Sequence, residues 1–400
     1  MTGPAGGGAT PRGGGAAGRS RAPWYLPMRG RATDEPYRVA TPLELLFDLC
    51  FVVAVSLAAA RLHHSVSAGE IGHGVAGYLL VFFCIWWAWM NFTWFASAYD
   101  TDDVPYRLAA LVQIAGVLVL AAGVPRAFDH EDITIVFVGY AIMRLALATL
   151  WLRAAYGDPA GRAAAVRYAG GITVAMLGWL GVVVAPSGAR LELFVLMAAV
   201  ELAIPFWAEW GRRTSWHPHH IAERYGCFTL IVLGESVTAA TTALQPAFDA
   251  GHPVGALLRV AAGGLLIVFS IWWLYFAQPT HRVLRTSRAA FTWGYGHFVI
   301  FTSIAAIGAG LQVAVDEAIG ETGLSARGAA LALTLPVALF LLSAWLLHVR
   351  PHRRGVLHDA GYPIAAVLVL AGTLTPIAVP LAGVVLALLV VATTILDRAG

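Results

Sequence analysis

Thr41-Pro-Leu-Glu-Leu-Leu-Phe-Asp-Leu-Cys-Phe-Val-Val-Ala-Val-Ser56 opens the first long apolar run of the chain and decides how the rest is read. Glu44 and Asp48 stand four residues apart, a spacing that puts both on one face of a helix. The run behind them is long enough to enter a bilayer. A carboxylate in hydrocarbon is costly and is normally turned inward, to a partner or a wet cavity. A second stretch of this kind begins near mid-chain: His220-Ile-Ala-Glu-Arg-Tyr-Gly-Cys-Phe-Thr-Leu-Ile-Val-Leu-Gly-Glu-Ser236. The rest reads as twelve helices in two sets, each opened by one of these two.

Composition supports that reading. The 400 residues are 58% hydrophobic and 12% charged, with a mean hydropathy of +0.71; a soluble domain carries about 25% charge. Many segments reach the roughly 20 apolar residues needed to cross a bilayer. The chain is therefore a polytopic, all-α membrane protein. Its net charge of +3 says less than how the charge is distributed. All 26 basic residues are Arg, which reflects codon bias rather than chemistry. Cys50, Cys84 and Cys227 all fall in apolar runs, so they read as small core residues rather than a disulfide framework or a metal site.

Residues 1–40 are rich in Gly, Ala, Pro and Arg, with no signal-peptide core. Too little apolar surface is available there to offset ordering entropy, which predicts a disordered tail. Arg12, Arg19, Arg21, Arg29, Arg31 and Arg38 keep it cytoplasmic. Spans are predicted at 42–62, 71–98, 105–125, 131–155, 163–185, 190–209, 219–244, 255–277, 288–315, 325–349, 360–377 and 380–397. The last two could instead form one broken helix. With the tail inside, the cytoplasmic loops hold Arg153 and Arg162, Arg212 and Arg213, then Arg282, Arg285 and Arg288, then Arg350, Arg353 and Arg354. The opposite loops have only isolated residues: Arg61, Arg126, Arg190, Arg259 and Arg327. One loop departs from the rule, Tyr99-Asp-Thr-Asp-Asp103, with only Arg107 nearby.

The halves 41–213 and 214–400 read as repeats. Glu44 matches Glu223 at an offset of 179 residues, Ile85-Trp-Trp matches Ile271-Trp-Trp at 186, and Trp151-Leu matches Trp345-Leu at 194. Ala121-Ala-Gly123 resembles Gly308-Ala-Gly310. The offsets rise steadily, as loop insertions would make them. Six spans per copy is an even number, so both copies share one orientation about an axis along the membrane normal.

Glu44-Leu-Leu-Phe-Asp-Leu-Cys-Phe-Val-Val53, the run from His220 to Glu235, and Trp86-Trp-Ala-Trp-Met-Asn91 through Asp100-Thr-Asp-Asp103 together resemble the bacterial low temperature requirement protein A (LtrA) family. The likeness covers nearly everything after residue 40; Leu46 stands where an aromatic is common. It implies a multi-pass inner-membrane protein linked to growth in the cold, with no chemical activity assigned. The helix start at Phe47-Asp48 and the six-plus-six plan are also faintly similar to lysosomal-type potassium channels, whose first helix begins Phe-Ser-Asp. No Ser separates the two residues here.

The candidate polar network is Glu44, Asp48, Arg144, Glu201, His220, Glu223, Arg224 and Glu235. Glu44 is explained as a helix cap behind Pro42. Asp48 lies a turn deeper among Phe47, Leu49 and Phe51, so it reads equally as part of a polar path or a functional network. His219, His220 and Glu223 have a spacing compatible with metal ligation, but a hydrogen-bonded interfacial cap is the simpler account. Arg224 is predicted to pair with Glu44 or Asp48 across the halves. Glu235 lies about 18 Å beyond Glu223 along a helix, too deep for a headgroup contact from that end. Arg144 is placed to neutralise Glu201 or Glu235, and a structural ion pair slightly outweighs a transport role for Glu201. Asn91, Gln113 and Gln312 are expected to hydrogen-bond between helices. The tryptophans are expected to serve mostly as interfacial belt and packing, ahead of the alternative that Trp86, Trp87, Trp89 and Trp94, with Trp272 and Trp273, line an aromatic site. Three functions fit: passage of a proton, cation or small solute with Asp48 and Glu235 as carriers, a lipid-modifying enzyme using His220 and Glu223, or a non-catalytic scaffold. No cofactor site, nucleotide loop or nucleic-acid surface is legible. The bilayer is the one partner the composition requires.

Overall fold

The computed structural model describes residues 23–32, 39–250, 254–284, 286–351 and 356–399. Among these there are twelve α-helices and no strand: α1 Pro42–Ser67, α2 Ile71–Tyr99, α3 Val104–Asp129, α4 Thr134–Gly157, α5 Arg162–Val184, α6 Ser187–Ala208, α7 Pro218–Asp249, α8 Val254–Phe276, α9 Ser287–Ile319, α10 Ala326–Ala344, α11 Val356–Gly372 and α12 Ala378–Ala399. Eleven are long and apolar enough to cross a membrane. The exception is α11, whose 17 residues reach about 26 Å against a hydrocarbon core of roughly 30 Å. It packs on α12 across a turn at 373–377, so the last apolar stretch is two helices, not one broken one.

Helix ends follow local chemistry. Thr41 and Glu44 form a capping box with Pro42 in the first turn. Asp103, Thr286 and Ser325 cap α3, α9 and α10, and Gly320, at φ 80°, ends α9 in the left-handed conformation. Helix α10 closes in a π-helical turn, Trp345–Val349.

The core lies along α2, α9 and α1. Trp86, Trp87, Trp89, Phe92 and Phe95 of α2 are buried, as are Trp293, Ile300, Phe301 and Ile304 of α9. Helix α1 packs on α2, α3, α7 and α9. By contrast α6 buries only Glu201, Ile204, Pro205 and Ala208, and leaves Leu191, Val195 and Leu196 exposed where lipid would cover them. Several pairings recur between the halves: α1 on α3 as α7 on α9, α3 on α4 as α9 on α10, α5 on α6 as α11 on α12. Others do not. Helix α8 runs along α12, whereas α2 packs on α4, α7 and α9, with no comparable packing on α6 among the described residues. The matched tryptophans diverge accordingly: Trp86 and Trp87 are 2% and 0% exposed, Trp272 and Trp273 both 46%. The belt expectation therefore fails for α2, whose indoles lie inside the protein.

Part of the segment expected to be a disordered tail is packed. On the near face, the end of the bundle where α1 begins, Met28 is fully buried. Leu26 N–H donates to Asp103 at 2.8 Å, and Arg31 N–H to the Ala98 carbonyl at 3.0 Å. The apolar run Pro23-Trp-Tyr-Leu-Pro-Met28 supplies the surface that the surrounding Gly-rich sequence lacks. Residues 1–22 and 33–38 lie outside the described residues, as do Arg285, Arg353 and Arg354 of the loops.

Helices α3 and α4 meet backbone to backbone. A Cβ on Gly139 would stand 2.3 Å from the Leu120 nitrogen and 2.5 Å from the Gly116 carbonyl oxygen. Small residues are what allow membrane helices to close this far. Gly139→Ala should cost about 1–3 kcal/mol by wedging the pair apart, read as a lower melting temperature in detergent. Gly170→Ala, with nothing within 4 Å of its new Cβ, should leave the transition in place.

Candidate functional site

The two helix starts come together as parallel neighbours. Arg224 of α7 donates from Nε to Asp48 Oδ2 at 3.1 Å and from Nη2 to Asp48 Oδ1. Its Nη1 lies 3.2 Å from Glu44 Oε1, and His220 Nε2 lies 3.1 Å from the same oxygen. All four side chains are buried. Glu44 serves twice, because its Oε2 accepts from the Thr41 N–H at 2.7 Å and hydroxyl at 2.9 Å. Glu223 accepts from the Ala40 N–H at 3.2 Å, and His219 stacks on His281 with ring centroids 3.8 Å apart. Among the described residues no group of three or more His, Cys, Asp or Glu side chains is placed to hold a metal. Two carboxylates face one arginine here, so the cluster is one negative charge in excess with His220 neutral and balanced with His220 protonated.

A second buried pair lies between α4 and α6. Arg144 Nη2 donates to Glu201 Oε2 at 2.6 Å, and the Trp87 indole to the same oxygen at 2.8 Å. Glu201 Oε1 accepts from the Tyr140 hydroxyl at 3.0 Å and the Trp179 indole at 3.2 Å. Each oxygen has two donors, and both ionic side chains are essentially unexposed. A carboxylate this fully occupied is a structural lock, since breaking such a buried pair costs about 3–5 kcal/mol.

Helix α2 joins the two clusters. Trp89 donates to Asp48 Oδ1 at 2.7 Å while Trp87 serves Glu201. Residues two apart on a helix point about 200° apart, so one helix delivers an indole N–H to each side. The expected interhelical role of Asn91 and Gln113 is not what forms. Asn91 donates to the Trp87 carbonyl at 2.8 Å and Gln113 to that of Ala109 at 3.5 Å, each within its own helix. Gln312 instead lines a cavity.

That cavity, of about 300 Å³, lies between α1, α7 and α9 and holds Glu235. Ser56 of α1 donates to Glu235 Oε1 at 2.5 Å. Ser236, Thr238 and Thr242 add hydroxyls to the lining. Among the described residues no arginine or histidine lies within ion-pair distance of Glu235, in contrast to Glu44, Asp48 and Glu201. Between it and the Asp48 cluster the α1–α7 seam carries Val52, Val55, Phe228 and Val232, all buried. Ser56 is a participant that the sequence did not single out, and the α2 indoles, expected at the membrane interface, serve instead as donors to buried carboxylates.

Each face is tied by a further carboxylate. At the far face Asp316 Oδ2 accepts from Ser67 at 2.5 Å and meets His63 Nε2 at 2.7 Å. At the near face Asp103 accepts from the Tyr106 N–H at 3.0 Å, the Leu26 N–H at 2.8 Å and Arg153. Burial pushes the Asp103 carboxyl up, but these donors outweigh it and hold it below the usual range. A depressed carboxyl stabilises the fold above its unfolded value, and the gain is lost as pH falls through the lower folded one. Hydrogen-exchange protection of the Leu26 amide, corrected for intrinsic rates, should therefore collapse below about pH 4. Asp103→Asn should lower it about tenfold or more at neutral pH, the worth of a charged hydrogen bond.

These features define a multi-pass helical membrane protein in which Glu44, Asp48 and Glu201 are locked to arginines while Glu235 faces a cavity. The family model for the bacterial low temperature requirement A protein (LtrA) matches residues 39–395, and the chain belongs to that family. It is also 27% identical over 302 residues to an uncharacterized protein of Rhizobium meliloti (strain 1021), covering 69% of this chain and 70% of that one. The family name records a low temperature requirement.

Proposed function

We propose that the protein passes a proton or small cation across the membrane, with Glu235 as the binding carboxylate. One observation carries this reading. Glu235 is a deep carboxylate that keeps a cavity of about 300 Å³ beside it and has no arginine or histidine at ion-pair distance among the described residues. Intramembrane ionisable groups that face such cavities mark ion and proton paths. Asp48, the other carrier expected from the sequence, is held by Arg224 and Trp89, so its cluster acts as a closed layer on the near-face side of the cavity. We assign the near face to the cytoplasm of the bacterial inner membrane, from the arginine asymmetry of the loops. The chain is read as two parallel six-helix copies, 41–213 and 214–400, with α1 and α7 at the axis between them.

Purified protein in liposomes should move protons, sodium, potassium or ammonium faster than empty vesicles do. If none of the four moves, the proposal is lost.

A further inference from the structure

A cavity unrelated to Glu235 opens at the near face, where α2, α4 and α6 end and α5 and α9 begin. Glu209, the residue after α6, lines it together with Trp94, Tyr168, Trp216, Phe291 and Tyr295. Glu209 Oε1 accepts from the Thr214 hydroxyl at 2.6 Å and the Tyr168 hydroxyl at 3.2 Å. Its Oε2 is buried and has no hydrogen-bond partner. A buried anionic oxygen left unmatched is costly. Aromatic faces attract cations, and cages of such rings are used to bind ammonium-type ligands. The walls are set against one another: Trp94 and Trp216 meet edge to face at 4.9 Å, and Phe291 and Tyr295 at 5.8 Å.

We propose that this cavity binds a small ammonium-type cation, ammonium or methylammonium, between Glu209 Oε2 and the aromatic walls. The size argues for a small ion: the space within is about 30 Å³, and a single water needs roughly 10–15 Å³ on such a measure. One wall already attracts positive charge, since the Arg213 guanidinium lies 5.0 Å from the Trp216 ring centroid. Arg213 makes no ion pair with Glu209. Burial pushes the Glu209 carboxyl above its ordinary range, against the hydrogen bonds from Thr214 and Tyr168 and the pull of Arg213. A bound cation would relieve that cost.

The test is calorimetric titration of the full-length protein in detergent with methylammonium chloride, then ammonium, sodium and choline chlorides at matched ionic strength. In Glu235→Gln protein, where the translocation carboxylate is absent, methylammonium and ammonium should still saturate one site, and choline, too large for the space, should not. Glu209→Gln keeps an oxygen for Tyr168 and Thr214 while removing the charge, and should weaken binding by about tenfold or more. Phe291→Leu removes a wall and leaves the charge, and should weaken binding about threefold or more. Binding that persists in Glu235→Gln belongs to this cavity and binding lost in it to the translocation site, which keeps the two proposals distinguishable. No saturable heat, or unchanged binding in both Glu209→Gln and Phe291→Leu, would overturn the inference. The cavity would then hold a water between Glu209 and the Trp151 indole, whose N–H is also buried without a partner.

Discussion

Arg224→Ala should leave little folded protein. The substitution strands Glu44 and Asp48, both buried, with His220 as the remaining ionisable neighbour of the cluster. Removing one partner of a buried ion pair costs about 3–5 kcal/mol, and here two carboxylates lose the same partner. That is a large part of the 5–15 kcal/mol that holds a typical protein folded. Arg224→Lys should recover only part of the loss, because an ammonium cannot span two carboxylates as a planar guanidinium does. Combining Arg224→Gln with Asp48→Asn and Glu44→Gln should restore most of it, since no buried charge is then left alone. Melting curves and size-exclusion profiles in detergent read all three. A wild-type melting temperature in Arg224→Ala would show that the cluster is not a lock.

Glu235→Gln should have the opposite profile, folding intact and flux sharply reduced. The Gln side chain still accepts from the Ser56 hydroxyl, and no arginine is left unpaired, so stability should change by less than about 1 kcal/mol. Flux in proteoliposomes should fall about tenfold or more, the loss of one charge-assisted contact to the passing ion. Ser56→Ala should cost about threefold, because it orients the carboxylate without supplying the charge. Glu235→Gln protein that conducts like the wild type would remove the cavity from the path. Flux lost together with the melting transition would mean only that the variant had misfolded.

The pairing of Arg224 with the start of α1 was legible because the motifs at 44–53 and 220–235 place opposite charges at equal depth in spans of one orientation. The depth of Glu235 followed from counting residues along a helix. The cost of a lone charge in hydrocarbon gave Arg144 a carboxylate partner but left it between Glu201 and Glu235, and the fold chose Glu201. The indoles of α2 were misread for a physical reason. Tryptophan suits both a membrane interface and a core that offers its N–H an acceptor, and only the tertiary arrangement distinguishes the two. The same ambiguity hid the difference between Trp86-Trp87 and Trp272-Trp273, alike in sequence and opposite in environment. Asn91 and Gln113 were assigned to neighbouring helices because an amide in an apolar span needs a partner. Their own backbone carbonyls provided one.

The bond between Arg224 and Asp48 joins residues 176 apart in the chain. A ribosome adding roughly 5–20 residues per second needs about 10–35 s to make that interval. Throughout it the first helix is in or beside the membrane with two carboxylates and no arginine to meet them. Each charged group at mid-membrane costs about 2.5–3.5 kcal/mol on an insertion scale, so the opening helix has reason to stay shallow, protonated or sheltered until the seventh emerges. The first helix is thus an unfinished object during synthesis, completed only when Arg224 emerges to meet its two carboxylates.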